Sequence, residues 1–346
     1  MLIPLLALIG IVASAFGFTA WKAKAIETEF PNTGELIDVG GFRMNSLHIP
    51  GLPDADLPAV VFIHGASGNL RDQEIAFGKA LEGRAEMLFV DRPGHGYSER
   101  GGPENDFPDG QADAIAKLME KRGIRSAIIA GHSFGGAIAA SFALFHPEKT
   151  AGLLLLAPAT HPWPGSIDWY YKLTARPVLG RLFSHLLALP AGLALMETAT
   201  RSVFYPNPRP ETYLVDGAPA LVLRPRNFRS NAIDVANLNA YVTRISERYG
   251  EIVAPTVIIT GDTDAIVAEE IHSRGLARDI KGSELVWIRH LGHKPDYVVT
   301  DVVVAAIEKL AGFPRDLQAA AHLAEARIAP QVQEAPVEMD LSIEKT

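Results

Sequence analysis

Ser126-Ala127-Ile128-Ile129-Ala130-Gly131-His132-Ser133-Phe134-Gly135-Gly136-Ala137-Ile138-Ala139-Ala140 reads as a short apolar strand, a turn crowded with glycine, and a small-residue helix. Residues 127–130 show no polar alternation, the pattern of a central parallel strand covered on both faces. Gly131-x-Ser133-x-Gly135 fits the G-x-S-x-G elbow, in which a sharp strand-to-helix turn lifts a serine hydroxyl above the end of a sheet. Side chains at the flanking positions would collide with the neighbouring strand or helix once the turn tightens. A serine held there sits at a helix N-terminus, where unpaired N–H groups and the positive dipole end favour a developing oxyanion. A preceding strand, a following helix and the additional Gly136 set this stretch apart from an ordinary glycine-rich turn.

On either side the chain alternates strand and helix patterns. Two β-rich runs between residues 35 and 49 flank Gly40-Gly41 and predict a hairpin. Residues 59–63 predict a buried strand entering His64-Gly65-Ala66-Ser67-Gly68, with a helix over about 69–81. A strand at 87–90 enters Asp91-Arg92-Pro93-Gly94-His95-Gly96-Tyr97-Ser98, a loop whose Asp91 and Arg92 are expected to bond backbone groups or each other. Helical spacing at 107–122 stops at Gly123, and 153–156 is another apolar strand. Between 161 and 250 the rhythm fails, and prolines, aromatics and short helical patterns predict an inserted helical cap. Alternation resumes with a strand at 256–260, a helix at 268–280, a strand at 285–288 and a last helix at 297–310. Such alternation argues for an α/β fold with a mostly parallel sheet and helices on both faces. From 314 to 346 the chain turns alanine-rich and then polar, and a frayed helix with a disordered end is expected.

A chain of 346 residues with 48% hydrophobic content can bury a large core. A net charge of −8 argues against general nucleic-acid binding, which needs a basic footprint. No zinc-finger, P-loop or G-x-G-x-x-G pattern is present. Cysteine is absent, which excludes disulfides and thiolate metal sites and leaves the compartment open. Residues 2–20 carry no charge, and at about 1.5 Å rise they come close to the roughly 30 Å hydrocarbon core of a bilayer. With Trp21, Lys22 and Lys24 following as an interfacial anchor, residues 2–21 predict one transmembrane helix, its side of the membrane undetermined. The alternative is secretion after cleavage near Ala13-Ser14-Ala15, which would need a basic region ahead of a shorter apolar run.

A serine hydroxyl is a poor nucleophile at neutral pH, so the elbow calls for a histidine to take its proton and a carboxylate to orient that histidine. Eleven histidines are available. His293 follows the last strand in Gly292-His293, and His290 is its rival. Their spacing also invites a metal reading, but no H-E-x-x-H pattern accompanies it. His64 and His132 belong to turns, His146 and His322 to surface helices, and His95 is a minor candidate for substrate contact. Asp262 and Asp264 both lie on the loop after the 256–260 strand.

His64-Gly65, the Asp91 to Ser98 loop, Gly131-His132-Ser133-Phe134-Gly135-Gly136, Gly261-Asp262-Thr263-Asp264 and Gly292-His293, in that order, resemble the α/β-hydrolase superfamily. The likeness is to its cap-bearing group of esterases, lipases, carbon–carbon bond hydrolases and cofactor-free haloperoxidases, and it covers residues 35–310. The chain then divides into a membrane anchor (1–24) and a tail (314–346), both outside the likeness and read from their own composition, and a hydrolase core (35–160 and 251–312) with an inserted cap (161–250). The resemblance implies Ser133 as nucleophile, His293 as base and, three residues after Gly261, Asp264 as the acid. The order Ser133, Asp264, His293 is that of the family plan. The same plan assigns oxyanion N–H groups to Phe134 and to the early loop, here Ala66. Serine at position 133 tells against dehalogenase and epoxide hydrolase chemistry, and no cofactor or metal is implied.

The expected activity is cleavage of an ester or similar acyl bond of a small apolar substrate through an acyl-enzyme. A carbon–carbon bond hydrolase or lyase on the same scaffold and a non-catalytic binding protein are the alternatives; the oligomeric state stays open. Residues 161–250 carry ten Lys+Arg and six Asp+Glu, a net of +4 in a chain of −8. A basic, aromatic cap facing anionic headgroups is one reading of this, and ordinary packing and solvation is the other.

Overall fold

The computed structural model describes residues 2–333, among which eight strands form one sheet. They are β1 (Glu35–Asp38), β2 (Arg43–Ile49), β3 (Val60–Ile63), β4 (Met87–Val90), β5 (Ala127–His132), β6 (Thr150–Leu156), β7 (Thr256–Gly261) and β8 (Glu284–Ile288). Their order is β1-β2-β4-β3-β5-β6-β7-β8; β1 and β2 form the antiparallel hairpin, β2 meets β4 antiparallel, and the rest are parallel. After β3 the chain moves to β4 on one side and then to β5 on the other. That reversal is a topological switch point, where the loops leaving the carboxyl ends of β3 and β5 part and leave a crevice.

Strands β3, β4 and β5 are buried along their whole length. Their side chains alternate between two cores: Val61, Ile63, Leu88 and Ile129 face one, and Val60, Phe62, Phe89 and Ile128 face the other. This is the period-2 alternation of a sheet with helices on both faces, and it explains why the strands read as unbroken apolar runs.

The helices are α1 (Leu2–Glu29), α2 (Leu70–Phe77), α3 (Pro108–Arg122), α4 (Phe134–Phe145), α5 (Trp169–Ala175), α6 (Leu179–Phe183), α7 (Leu189–Phe204), α8 (Tyr213–Asp216), α9 (Pro225–Ile245), α10 (Glu269–Asp279), α11 (Pro295–Val298), α12 (Thr300–Leu310) and α13 (Leu317–Ile328). A π-helical turn, Ser184–Ala188, joins α6 to α7. The segment between β6 and β7 is helical and bonds to loops at the carboxyl ends of the strands: Asn231 to Ser67, Asn207 to the Gly292 amide, and Asn69 to the Gly217 carbonyl.

Three expectations need correction. The stretch 314–346 reads as a frayed helix with a disordered end; the helix is present, but α13 is capped and packed rather than frayed. Asp316 caps it by accepting from the Ala319 amide, and Leu317, Ala321, Ala324 and Ile328 are buried against the sheet, because this alanine-rich segment carries its apolar residues on one face. Residues 334–346, read as a disordered end, lie outside the described residues. The single helix expected over 297–310 is split at Val299, which leaves helical geometry with ψ 44. The apolar helix ends not near residue 24 but at Glu29, and Ile26 and Phe30 are buried against Leu189, Leu221 and Leu223.

Candidate active site

Ser133 lies between β5 and α4 with φ 52 and ψ −119, a conformation L-residues rarely adopt and one that costs on the order of 1–3 kcal/mol. Its backbone is clamped: its amide donates to the Leu156 carbonyl, and its own carbonyl accepts from the Gly136 and Ala159 amides. The flanking glycines are required by contact rather than by φ. A Cβ at Gly131 would lie 2.2 Å from the Gly135 carbonyl oxygen, and one at Gly135 would lie 2.3 Å from that of Ile63. Phe134 is the first residue of α4, so its N–H has no intrahelical acceptor.

The loop after β3 lies against this turn, since a Cβ on Gly65 would come within 3.0 Å of the Ser133 Cβ. Ala66 follows directly, half-buried. His64 is a strut for the loop. The Arg92 amide donates to its Nε2 at 3.2 Å, so Nδ1 carries the proton and donates to the Gly65 carbonyl at 2.8 Å. Burial first, and then the Arg92 charge, push the His64 imidazole well below its usual range, consistent with that neutral tautomer. Arg92 itself reaches both expected oxyanion elements. Its guanidinium lies 4.5 Å from the centre of the Phe134 ring and donates to the Gly65 carbonyl.

Arg92 is fully buried and pairs with Asp234 of α9 at 2.7 Å; burial brings it down to about 10 against the pull of Asp234. Asp234 also takes Arg100 at 2.6 Å. Asp91 does bond backbone amides, those of Leu70 and Tyr97, but not Arg92. His95 is completely buried beside Arg92 and Asp234, bonded to Arg92, and so is closed to substrate.

Across the site, His293 Nδ1 lies 2.7 Å from Asp264 Oδ2, and both side chains are buried. Asp264 Oδ1 accepts from the Ile266 and Val267 amides at 2.8 and 3.0 Å, which fixes the carboxylate before it meets the ring. A carboxylate at Nδ1 places the ring proton there and leaves the Nε2 lone pair free to take a proton. His132, the residue before Ser133, bonds through Nε2 to the His293 carbonyl at 2.8 Å, and the two rings are 4.9 Å apart. The structure thus joins the strand bearing Ser133 to the loop bearing His293. The rivals do not enter: His290 is exposed with φ 65, and Asp262 accepts from the His290 amide at 2.8 Å.

Next to His293 in the chain, Lys294 centres a buried cluster that the sequence reading missed. The Lys294 ammonium, 2% exposed, lies 2.8 Å from Asp72 and 3.0 Å from Asp296. Tyr213 of α8 and Tyr297 donate to Asp72, and Gln73 donates to Asp296. Burial acts to raise Asp72, but Lys294, His132 and the Tyr213 hydrogen bond together outweigh it and hold the carboxyl below its usual range; burial wins at Asp296, which is raised. Possible metal-ligating atoms of Asp72, His132 and Asp296 lie within 4.8 Å of one another, and Lys294 already supplies the positive charge there. Asp72 and Lys294 are 222 residues apart, and no local motif marks either.

A mostly parallel sheet, a strained serine at its switch point and a buried histidine–aspartate pair whose loop bonds to the residue before that serine define the class. The chain belongs to the α/β hydrolase fold family, whose model matches residues 58–295. It is 25% identical over 238 residues to monoacylglycerol lipase abhd6-A of Xenopus laevis, covering 68% of this chain and 69% of that one. It is 26% identical over 247 residues to the 2-hydroxy-6-oxononadienedioate/2-hydroxy-6-oxononatrienedioate hydrolase of Comamonas testosteroni, covering 68% and 81%. Among solved structures, the enol-lactonase from Burkholderia xenovorans LB400 superposes with TM-score 0.64 at 18% identity, over 81% of this chain and 100% of that one. A membrane phospholipase A gives TM-score 0.64 at 19% identity, over 90% and 99%. At these identities the structural likeness shows the fold alone.

Proposed function

We propose that the protein is a membrane-anchored serine hydrolase that cleaves an ester or similar acyl bond of a small apolar substrate. The observation that carries this reading is the His293–Asp264 pair at 2.7 Å, set beside a serine in a strained elbow. Ser133 attacks the carbonyl carbon as His293 Nε2 takes the hydroxyl proton, and Asp264 holds the resulting imidazolium. The Phe134 and Ala66 amides bind the oxyanion, and His293 returns the proton to the leaving alcohol. Water, activated by the same histidine, then releases the acid. The helical segment 161–250 serves as the cap, and α1 as the anchor.

Labelling with a fluorophosphonate tests the nucleophile. Wild type should react and Ser133→Ala should not, with ester turnover falling by several orders of magnitude and the fold retained. Equal labelling of the two would remove Ser133 from the mechanism. The likeness to a Comamonas testosteroni hydrolase of a 2-hydroxy-6-oxo acid favours a second reading, carbon–carbon bond cleavage by the same side chains. Product analysis on an aryl ester series and on a 2-hydroxy-6-oxo-dienoate separates the two.

A further inference from the structure

α1 docks on the body of the protein within the uncharged run that is read as its membrane span. Among its covered positions, Val12, Ala15, Thr19, Ala23 and Ile26, continued by Phe30, recur every three or four residues and form one stripe, which Lys22, Ala25 and Glu27 flank towards its C-terminal end. Along this stripe the helix packs on the Ser184–Ala188 turn, on α7 and on Pro219–Leu223. The Phe16 ring stacks on His185 with centroids 5.3 Å apart. Trp21, Lys22 and Lys24 follow the uncharged run 2–20 directly and are the residue types that settle at an interface, so in a spanning α1 they mark the edge of the apolar layer. Residues 16–20 therefore lie inside the apolar layer, and whatever packs beside them enters with them.

What packs beside them has an apolar outer face. Val178, Leu179, Leu182, Leu187 and Leu195, on α6, the π turn and α7, are 43–68% exposed. Of the twenty exposed large hydrophobic side chains among the described residues, seven lie on α1 and six between 169 and 195. The stretch Leu179–Phe204 has a mean hydropathy of 1.4 with only 22% of its window buried. Lys172, Arg176 and Arg181, exposed on the same segment, have the long stems that let a charged head reach headgroup phosphates from an apolar surface.

We propose that the α6–α7 face is a second membrane contact, sunk into one leaflet beside α1 and occupied by lipid acyl chains. The proposal rests on α1 spanning the membrane. It places the helical cover of the proposed site at the bilayer surface, so that an apolar substrate reaches it from the lipid phase. The occupant follows from the docking: α1 packs on the Ser184–Ala188 turn and on α7 within its uncharged run, so the exposed apolar face beside it enters the lipid with it.

The chain has no cysteine, so single substitutions Leu182→Cys and Leu187→Cys in the full-length protein carry an environment-sensitive fluorophore with no background. Ile9→Cys reports on α1, and Leu323→Cys, 75% exposed on α13, reports on water. In vesicles of phosphatidylcholine and phosphatidylglycerol, probes at 182 and 187 should lose iodide quenching and gain quenching by nitroxide on the acyl chains, as at position 9; position 323 should do the opposite. Iodide quenching at 182 and 187 with lipid quenching at 9 overturns the proposal and leaves the anchor standing. Iodide quenching at all four positions means the anchor reading fails as well. Shielding of 182 and 187 from both quenchers, with cross-linking between copies through Leu187→Cys, makes the face a subunit interface and also overturns the proposal.

Discussion

The Lys294 ammonium lies 2.8 Å from Asp72 Oδ2, so the residue after the proposed base is tied to the helix that follows the proposed oxyanion loop. Tyr213 of α8 donates to the other Asp72 oxygen at 2.9 Å, which brings the helical cover into the same knot.

Lys294→Met removes the cation and leaves buried carboxylates facing each other. It should destabilise the protein by about 3–5 kcal/mol, the cost of breaking a buried pair on one side. Adding Asp72→Asn and Asp296→Asn should recover part of the loss. Urea denaturation of the single and triple variants checks this, and an unchanged midpoint for Lys294→Met would show that the knot carries no strain when opened.

Asp264→Asn should leave the protein folded and lower turnover on the order of 10⁴-fold, because an amide no longer selects the Nδ1–H tautomer of His293. Asp262→Asn should cost far less activity and act on stability, since Asp262 bonds the His290 amide and not a ring. Kinetics of both on one ester, with circular dichroism for folding, decide the assignment. A more crippled Asp262 variant would reverse it.

The docking of α13 should weaken in acid. Burial acts to raise the Glu325 carboxyl, but hydrogen bonds from the Arg289 side chain and amide outweigh it and hold it at about 2, from an ordinary value of 4.5. A depressed acid stabilises the fold above its unfolded value and loses that contribution as pH falls through the folded one. The stability advantage of wild type over Glu325→Gln should therefore be full above pH 4.5 and shrink towards pH 2. A gap that stays constant across this window would separate Glu325 from the acid response.

Truncation should divide α1 into two functional halves. Removing residues 1–15 should leave a folded, active protein with weaker membrane retention, because the positions buried on the body begin at Thr19. Removing residues 1–30 should destabilise the helical segment, since Ile26 and Phe30 leave a shared apolar cluster and each such burial contributes about 1.5–3 kcal/mol. Thermal melts and vesicle flotation of the two variants report stability and membrane retention separately. Equal melting temperatures would mean the docked half adds nothing to the fold.

The arginines from Arg224 to Arg229 do not form the basic surface that the net charge of the helical segment 161–250 suggests. Arg224 is 7% exposed and bonds the Leu221 and Gly96 carbonyls and Glu27, so it cannot face a headgroup. Arg229 bonds the Thr174 and Arg176 carbonyls. Of the three arginines from Arg224 to Arg229 only Arg226 is exposed. A net charge of a segment says nothing about which guanidiniums are consumed by carbonyls from elsewhere in the fold.

The sequence by itself determined the features whose causes are local. Unbroken apolar runs specify buried strands, and crowding at Gly131 and Gly135 specifies the elbow, because each depends on residues adjacent in the chain or on a backbone no side chain may approach. Gly123, left-handed with φ 78, ends α3 where the helical spacing stops. Only the tertiary structure decided matters that turn on distance across the chain. It turned Asp264 to His293 and Asp262 to a backbone amide, paired Arg92 with Asp234 and Lys294 with Asp72, and packed α13 on the sheet. Those pairings form because burial penalises any polar group without a partner, and the partner is supplied by whichever element the fold brings near, at separations of 142 and 222 residues for the two cations.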